Sequence, residues 1–335
     1  MTQRATVLAQ QTAPPPVPDV PVEALVPTYA GPGSGSRFLP LLGMQVHYRD
    51  EGPAVAAGGA ASLPLLLIHG TASSLHTWDG WVERLAGAPP GGGGRRVVRV
   101  DLPGFGLTGP APDAKARGFY SNAAYVTFLL AFADAVLGPG SRFVIGGNSL
   151  GGELAWWVAV DAPARVAGLV LVDAVGYDDL PEEVPEGWGI AGGSGGGDDG
   201  KQQTKQKRAP VGLTMAGIRR TVESMYGDPA RVTDGTVRRY FDMMRRQGNR
   251  GALRARLAVA WPPQRSDAIR QVAAPTLILW GGRDKLTVPS QAEKFHRDIH
   301  GSALVSFAAL GHLPMEEDPA TTAPHVLSFL RRHGL

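Results

Sequence analysis

A serine between glycines stands out in the stretch Gly147-Asn148-Ser149-Leu150-Gly151. It directly follows the apolar run RFVIG and opens a segment with helical periodicity. A G-x-S-x-G sequence between a strand and a helix predicts a sharp turn that raises the serine hydroxyl above the sheet. The helix start adds free backbone N–H groups, which favour developing negative charge. We therefore interpret Ser149 as a nucleophile rather than as an idle serine in a glycine turn.

A serine hydroxyl needs a base to take its proton, and the base needs a carboxylate to orient it. His312 lies just after the apolar run ALVSF, and Asp284 lies just after APTLILW. The chain order is then serine, aspartate, histidine, which is the order expected when the nucleophile occupies such a turn. We predict His312 as the general base and Asp284 as the acid. Asp173, at the end of the run VAGLVLV, stays open as an alternative acid.

A second turn, His69-Gly70-Thr71, follows the apolar run LPLLLI. Parallel strands end at one edge of a sheet, so this turn and the serine turn should lie close together. We predict that the backbone N–H groups of Thr71 and Leu150 form an oxyanion hole, and that His69 has a structural role. The alternative is that this turn merely ends a strand.

Apolar runs alternate with helical patterns along most of the chain. FLPLLG and MQVHYRD predict a hairpin, and six further runs have the length and composition of strands. Strands that alternate with helices predict an α/β fold with a mostly parallel sheet and helices on both faces. We assign residues 37–176 and 268–335 to this core.

Two segments interrupt the alternation. Residues 1–36 are rich in proline, glycine and alanine and lack periodicity, which predicts a flexible arm. Residues 177–267 contain a low-complexity stretch at 187–210 and then a stretch with helical patterning. We predict that residues 177–267 form a helical cap with a mobile loop at 187–210.

Composition excludes several classes of protein and site. The 335 residues contain no cysteine, which excludes disulfides, thiolate metal sites and cysteine nucleophiles. No apolar run reaches the ~20 residues that cross a bilayer, and the start has no signal-like apolar stretch, so we expect a cytoplasmic protein. No metal site is predicted, because no His, Asp or Glu cluster has ligand spacing.

Charge is concentrated in one segment. Residues 201–258 contain 14 Lys and Arg residues but only four Asp and Glu residues. No nucleic-acid reading motif accompanies them, so nucleic-acid binding is not expected. One hypothesis is that this charge attracts anionic substrates, and the alternative is a solvated helix face with a charged loop.

The motifs quoted above, with LLLIHGTASSLHTWDGW, VVRVDLPGFGLTG, PTLILWGGRDKLTVP and GHLPMEEDP, resemble the α/β-hydrolase fold superfamily. The chain is most similar to capped single-domain bacterial serine hydrolases, which include esterases and meta-cleavage-product hydrolases. This resemblance implies an eight-stranded, mostly parallel sheet, the cap at 177–267, the triad Ser149–Asp284–His312 and no cofactor.

The leading expectation is hydrolysis of a small-molecule carboxylic ester or thioester through an acyl-enzyme. The first alternative is a carbon–carbon bond hydrolase of the meta-cleavage-product type, although those enzymes usually carry an aromatic residue after the catalytic histidine and this chain has Leu313. The second alternative is a non-catalytic ligand-binding or signalling protein on the same fold. By position, we expect His76, Trp78 and Trp156 to line the substrate pocket. The oligomeric state stays open.

Overall fold

The computed structural model describes residues 17–53, 62–87, 94–112, 117–178, 213–259 and 265–335. Its strands are β1 (Ser36–Leu41), β2 (Met44–Glu51), β3 (Leu65–Ile68), β4 (Val97–Val100), β5 (Phe143–Asn148), β6 (Val166–Val172), β7 (Thr276–Gly281) and β8 (Ala303–Phe307). Its α-helices are α1 (Val22–Tyr29), α2 (Asp79–Leu85), α3 (Asn122–Leu137), α4 (Leu150–Asp161), α5 (Met215–Met225), α6 (Asp234–Arg245), α7 (Asn249–Leu257), α8 (Ser290–Asp298), α9 (Pro314–Glu317) and α10 (Pro319–Arg332).

The strands form one eight-stranded sheet in the order β1-β2-β4-β3-β5-β6-β7-β8. β1 and β2 form the predicted antiparallel hairpin, and β2 is also antiparallel to β4. All other neighbours are parallel, from β4 through β8. The α/β fold with a mostly parallel eight-stranded sheet, predicted from the sequence, is confirmed.

Two hydrophobic layers cover the two faces of the sheet. Successive side chains of a strand point to opposite faces, and in β3 Leu66 and Ile68 enter one layer while Leu65 and Leu67 enter the other. The first layer includes residues of α3 and α4, and the second includes residues of α2 and α10. Burial on both faces explains why the central strands are continuous apolar runs rather than alternating ones.

The N-terminal segment is more ordered than the sequence predicted. Residues 1–16 lie outside the described residues, but α1 forms within the predicted flexible arm, and its Leu25 packs against Leu107 and Met243. Val20 pairs with the α6–α7 connection, because its N–H donates to Arg245 O at 2.7 Å and its carbonyl accepts from Gln247 N–H at 2.8 Å. The prediction of a flexible arm is therefore wrong for residues 17–36. Tertiary contacts, which local composition does not reveal, order this segment.

The described part of the insert is helical, as its patterning indicated. Helices α5, α6 and α7 occupy residues 213–259, and the stretch at 187–210 lies outside the described residues. Val222 and Met225 of α5 are buried in one hydrophobic layer and Ala252 of α7 in the other. In the part of the chain that the structure describes, no helix is both long and apolar enough to span a bilayer.

Candidate active site

Ser149 occupies the turn between β5 and α4 with φ 54° and ψ −118°, a backbone conformation that residues other than glycine rarely adopt. The flanking glycines are required by packing: a Cβ on Gly147 would lie 2.1 Å from Gly151 O, and one on Gly151 would lie 2.1 Å from Ile68 O. The Ser149 side chain remains partly exposed, at the N-terminus of α4. The backbone therefore has the sharp strand-to-helix turn that the sequence predicted.

The His69-Gly70-Thr71 turn lies against the serine turn. A Cβ on Gly70 would lie 3.1 Å from Ser149 Cβ. His69 is fully buried, its Nδ1 donates to Gly70 O at 2.7 Å, and its Nε2 accepts from Leu102 N–H at 3.0 Å. Burial lowers the pKa of His69, in keeping with a neutral ring that can accept this bond. His69 thus fixes the shape of the turn that carries Thr71.

The Thr71 and Leu150 N–H groups remain predictions as oxyanion donors. Leu150 is the first residue of α4, where a backbone N–H has no partner inside the helix. Neither N–H donates to another group in the ranges that the structure describes. Both groups are therefore free to bind an oxygen next to Ser149.

His312 and Asp284 are in direct contact at the carboxyl edge of the sheet. His312 Nδ1 lies 2.7 Å from Asp284 Oδ2, and both side chains are buried. The Thr287 hydroxyl donates to the same Asp284 oxygen at 2.6 Å. Burial opposes ionisation of Asp284, but His312 and hydrogen bonds to its carboxylate together lower its pKa. An ionised Asp284 would hold His312 with Nε2 free to act as a base.

Asn148 links this pair to the serine turn. Its Nδ2 donates to His312 O at 2.9 Å and to Val172 O at 3.2 Å. The residue before Ser149 therefore holds the backbone of His312. The sequence analysis assigned no role to Asn148 or Thr287, because neither has a recognisable local pattern.

Asp173 lies beside Asp284 but has a different environment. It is fully buried, its Oδ1 accepts from Gly281 N–H at 2.9 Å, and its Oδ2 has no donor among the described residues. Burial, together with the charge of Asp284, raises the pKa of Asp173 well above its ordinary value. The direct bond of His312 to Asp284 favours Asp284 over Asp173 as the acid.

Asp173, Asp284 and His312 also form the one group within the described ranges whose ligand-type atoms lie close enough to hold a metal ion, within 4.8 Å of one another. His312 Nδ1 already bonds Asp284, so a metal ion would have to replace that bond.

Two glutamates that follow His312 connect the segment of α5–α7, the predicted cap, to the core. Glu317 accepts the backbone N–H groups of Gly227, Asp228 and Gly311 at 2.8 to 2.9 Å. The His312 N–H donates to Met225 O at the end of α5, at 2.7 Å. The cap is thus bonded directly to the loop that carries the predicted base. The two glutamates shortly after His312 are visible in the sequence, but nothing local to them indicates that they bind the cap.

Glu316 is the second of these connectors. Its carboxylate accepts from Tyr226 and Tyr240 hydroxyls of the cap at 3.1 Å each, from Thr77 of the core at 2.5 Å, and from Arg239. Buried charges need such partners. Glu316 therefore joins α6, the end of α5 and the segment before α2 at a single carboxylate.

Four of the ten arginines at residues 213–259 pair with acids of the core and the N-terminal segment. The pairs are Arg231–Asp318, Arg239–Glu316, Arg250–Asp19 and Arg256–Glu153. Part of the positive excess of this segment is therefore neutralised by acids outside it, which leaves less charge for the attraction of anionic substrates.

The three residues predicted to line the pocket are all buried. His76 Nε2 lies 3.1 Å from Tyr29 O, and burial lowers its pKa to about 4. Trp78 packs on Trp81 with ring centroids 5.1 Å apart, and the Trp156 indole N–H donates to Val175 O at 2.9 Å. These contacts are those of packed interior side chains, and a role in substrate binding stays a prediction.

Comparisons with known proteins agree with the fold. A family model described as the alpha/beta hydrolase fold matches residues 64–319. The chain is 30% identical, over 74% of its length and 70% of the relative, to a pimeloyl-[acyl-carrier protein] methyl ester esterase of Neisseria meningitidis. It is 26% identical to a 2-hydroxy-6-oxo-2,4-heptadienoate hydrolase of Pseudomonas putida, over 78% of this chain and 90% of that one.

A third relative is longer than this chain. It is the dihydrolipoyllysine-residue acetyltransferase component of an acetoin cleaving system from Pseudomonas putida, 26% identical over 82% of this chain but 65% of the relative. Among solved structures, a serine hydrolase involved in carbazole degradation superposes with a TM-score of 0.67 at 23% identity, covering 88% of this chain and 98% of that one.

Proposed function

Since the chain belongs to the α/β-hydrolase fold family, we propose that it is a serine hydrolase that cleaves a carboxylic ester or thioester through an acyl-enzyme. The observation that carries this proposal is the 2.7 Å contact of His312 with Asp284, in a protein whose Ser149 occupies a strained strand-to-helix turn. A serine nucleophile and a histidine base that a carboxylate orients are the requirements of this chemistry.

In the first half of the proposed reaction, His312 Nε2 takes the Ser149 proton as Oγ attacks the carbonyl carbon. The Thr71 and Leu150 N–H groups stabilise the resulting oxyanion. The intermediate collapses when the bond to the alcohol or thiol breaks, and His312 gives its proton to that leaving group. In the second half, His312 activates a water that attacks the acyl-enzyme and releases the acid and Ser149. Asp284 stabilises the charged imidazole in both halves.

The esterase relative supports an ester as the substrate, because it is named for a methyl ester and is 30% identical to this chain. The proposed reaction needs no cofactor.

A cap that is hydrogen-bonded to the loop of His312 would enclose the substrate on the side opposite the sheet. Residues 177–267 are thus proposed as the cap of a core formed by 37–176 and 268–335. The expected cytoplasmic location stays a prediction.

Carbon–carbon bond hydrolysis is the second candidate function. It is favoured by the heptadienoate hydrolase relative, which the alignment covers over 90% of its length. The residue after His312 is the buried Leu313, at the position where the meta-cleavage-product hydrolases usually carry an aromatic residue. This difference is the reason to place ester hydrolysis first.

The test compares wild type, Ser149→Ala and Ser302→Ala on p-nitrophenyl esters of rising acyl length and on a 2-hydroxy-6-oxo-dienoate. Ser302 lies in a turn before β8, bonded to His296, and serves as the matched control. We expect Ser149→Ala to lose at least ~10³-fold in kcat on the preferred ester and Ser302→Ala to match wild type.

Turnover of the dienoate alone would move the assignment to carbon–carbon hydrolysis. A fluorophosphonate that reacts covalently with serine nucleophiles separates an enzyme from a binding protein, and mass spectrometry should find its adduct on Ser149. A wild type that is inert on every substrate and forms no adduct would leave the non-catalytic ligand-binding or signalling protein as the better interpretation.

A further inference from the structure

Two buried carboxyl groups lie side by side behind His312. Asp173 and Asp284 are fully or almost fully buried, and they have oxygen atoms within 4.8 Å of each other and of a His312 nitrogen. Two neighbouring carboxylates cannot both carry a negative charge in a site shielded from water without a large energetic cost. A proton held by one of the two carboxyl groups removes this cost.

The hydrogen-bond donors identify which of the two stays ionised. Asp284 Oδ1 accepts the backbone N–H groups of Leu286 and Thr287 at 2.7 and 3.2 Å. Its Oδ2 accepts from the Thr287 hydroxyl and faces His312 Nδ1. An ionised carboxylate is an acceptor only and is stabilised by several such donors. Asp284 thus has the surroundings of a carboxylate.

Asp173 has the surroundings of a carboxylic acid. Its Oδ1 accepts one N–H, from Gly281, and its Oδ2 is buried with no donor in the described part of the chain. The same Oδ2 would be satisfied as an O–H that donates to the neighbouring carboxylate. Glu317 adds negative charge nearby, which also disfavours an ionised Asp173.

We propose that Asp173 is a neutral carboxylic acid whose O–H donates to the Asp284 carboxylate, and that it acts as a positioning residue for the acid that orients His312. Through this bond Asp173 completes the set of donors around Asp284 and fixes the rotation of its carboxyl group. It does not touch substrate. The positioning role rests on the proposed serine hydrolase function, whereas the protonation state does not.

The kinetic test is a matched pair of substitutions. Asp173→Asn replaces the O–H by an amide N–H, keeps the acceptor for Gly281, and suits the backbone at Asp173, whose φ is 45°. We expect Asp173→Asn to keep kcat within about threefold of wild type with an unchanged pH profile. Asp284→Asn should lose about 10⁴-fold in kcat, as expected when the acid of a triad is neutralised. Asp173→Ala, which removes the donor, should lower kcat with little change in KM.

The opposite asymmetry, with Asp173→Asn inactive and Asp284→Asn active, would overturn the proposal and make Asp173 the acid. Equal large losses in both Asn variants would also overturn it, because they would show that Asp173 works as a carboxylate.

The second test uses no substrate. Asp173 would be protonated in the folded protein at neutral pH but ionised in the unfolded chain, whose aspartates titrate near 4. Ionisation of Asp173 then favours the unfolded wild-type chain but not the variant. The unfolding constant of wild type divided by that of Asp173→Asn should therefore rise about tenfold per pH unit above pH ~4. Urea unfolding from pH 4 to 7 measures this ratio. A ratio that is flat or falls would show that Asp173 is ionised when folded and would overturn the proposal.

Metal analysis of the purified protein completes the test, since a divalent ion bound at one equivalent would supply the missing partner and overturn the neutral acid. If the protein proves inert on all substrates but the unfolding ratio rises, the hydrolase function fails and the protonation of Asp173 stands.

Discussion

At the scale of single residues, the site depends on backbone positions as much as on reactive side chains. Ser149 has a strained backbone conformation, and the glycines on either side of it are closely packed. Gly147 and Gly151 are needed there because neighbouring backbone atoms leave no room for a Cβ atom at either position. Strain of this kind persists only where the surrounding structure enforces it.

We expect Gly151→Ala to be strongly destabilising, because its Cβ would lie 2.1 Å from Ile68 O, a backbone atom that cannot move without disturbing β3. The expected loss in the free energy of unfolding is about 3 kcal/mol, as for a severely overpacked site. Gly251→Ala on α7 is the control, because nothing lies within 4 Å of its Cβ. That variant should be neutral or gain up to ~1 kcal/mol from helix propensity. Urea unfolding measures both, and equal stabilities would contradict the packing argument.

Thr287→Val should change how stability depends on pH. Hydrogen bonds, including the one from Thr287, lower the folded-state pKa of Asp284, so Asp284 stabilises the protein above its unfolded pKa and loses this effect as pH falls through the folded pKa. Removal of the hydroxyl raises the folded pKa. We expect Thr287→Val to lose about 1 to 3 kcal/mol near pH 7 and to approach wild type at acid pH. Thr287→Ser, which keeps the hydroxyl, should follow wild type, and a loss independent of pH would contradict this explanation.

At the scale of elements, buried ion pairs hold the cap helices on the core. Arg256 of α7 and Glu153 of α4 are 3 and 2% exposed and lie 3.2 Å apart. Arg256 also donates to Tyr120 O, and Glu153 accepts from Asn122 at 2.6 Å. Since α4 starts at the serine turn, this pair joins the cap to the helix that carries the nucleophile.

Arg256→Met should cost about 3 to 5 kcal/mol in unfolding free energy, because it leaves the Glu153 carboxylate buried without its cation. A further Glu153→Leu substitution should recover most of this loss, since an apolar pair of similar volume needs no charge partner. Arg254→Met, at an exposed position of the same helix, is the control and should change stability by less than ~0.5 kcal/mol. A double variant no more stable than Arg256→Met would argue against an uncompensated charge as the cause.

At the scale of the whole molecule, the N-terminal segment, the cap and the core form a continuous set of contacts. Val20 pairs with the α6–α7 connection, Asp19 pairs with Arg250, and the Tyr29 hydroxyl donates to Asp242 at 2.9 Å. Tyr29 O also accepts from Arg49 of β2 at 2.9 Å. The segment thus bridges cap and sheet.

Deletion of residues 1–30 should loosen α6 and α7 while the parallel sheet stays intact, because only the cap loses strand-like pairing and ion pairs. Hydrogen exchange of the α6 and α7 amides should become at least tenfold faster, with the exchange of β5 and β6 unchanged. Deletion of residues 1–16 is the matched control, because it retains Val20, Asp19 and α1. Equal exchange in the two deletions would show that the segment does not hold the cap.

Much of the fold and part of the site could be predicted because their signals are local. Continuous apolar runs identified the central strands, and a glycine two residues on either side of Ser149 identified the strand-to-helix turn. His312 and Asp284 were predicted because each lies just after an apolar run and together they complete the chain order serine, aspartate, histidine. These inferences need only the geometry of neighbouring residues.

The rest required the tertiary structure, because the decisive contacts join residues far apart in the chain. The sequence favoured Asp284 but left Asp173 open, because both follow apolar strands. Their three-dimensional surroundings differ: Asp284 contacts His312, while Asp173 has a buried oxygen without a donor in the described ranges. The helix in the N-terminal segment forms through packing on Leu107 and Met243 that its composition does not reveal. A sequence determines which residues can do chemistry and where strands end, but the environment of each candidate carboxyl group depends on the donors and charges that folding brings to it.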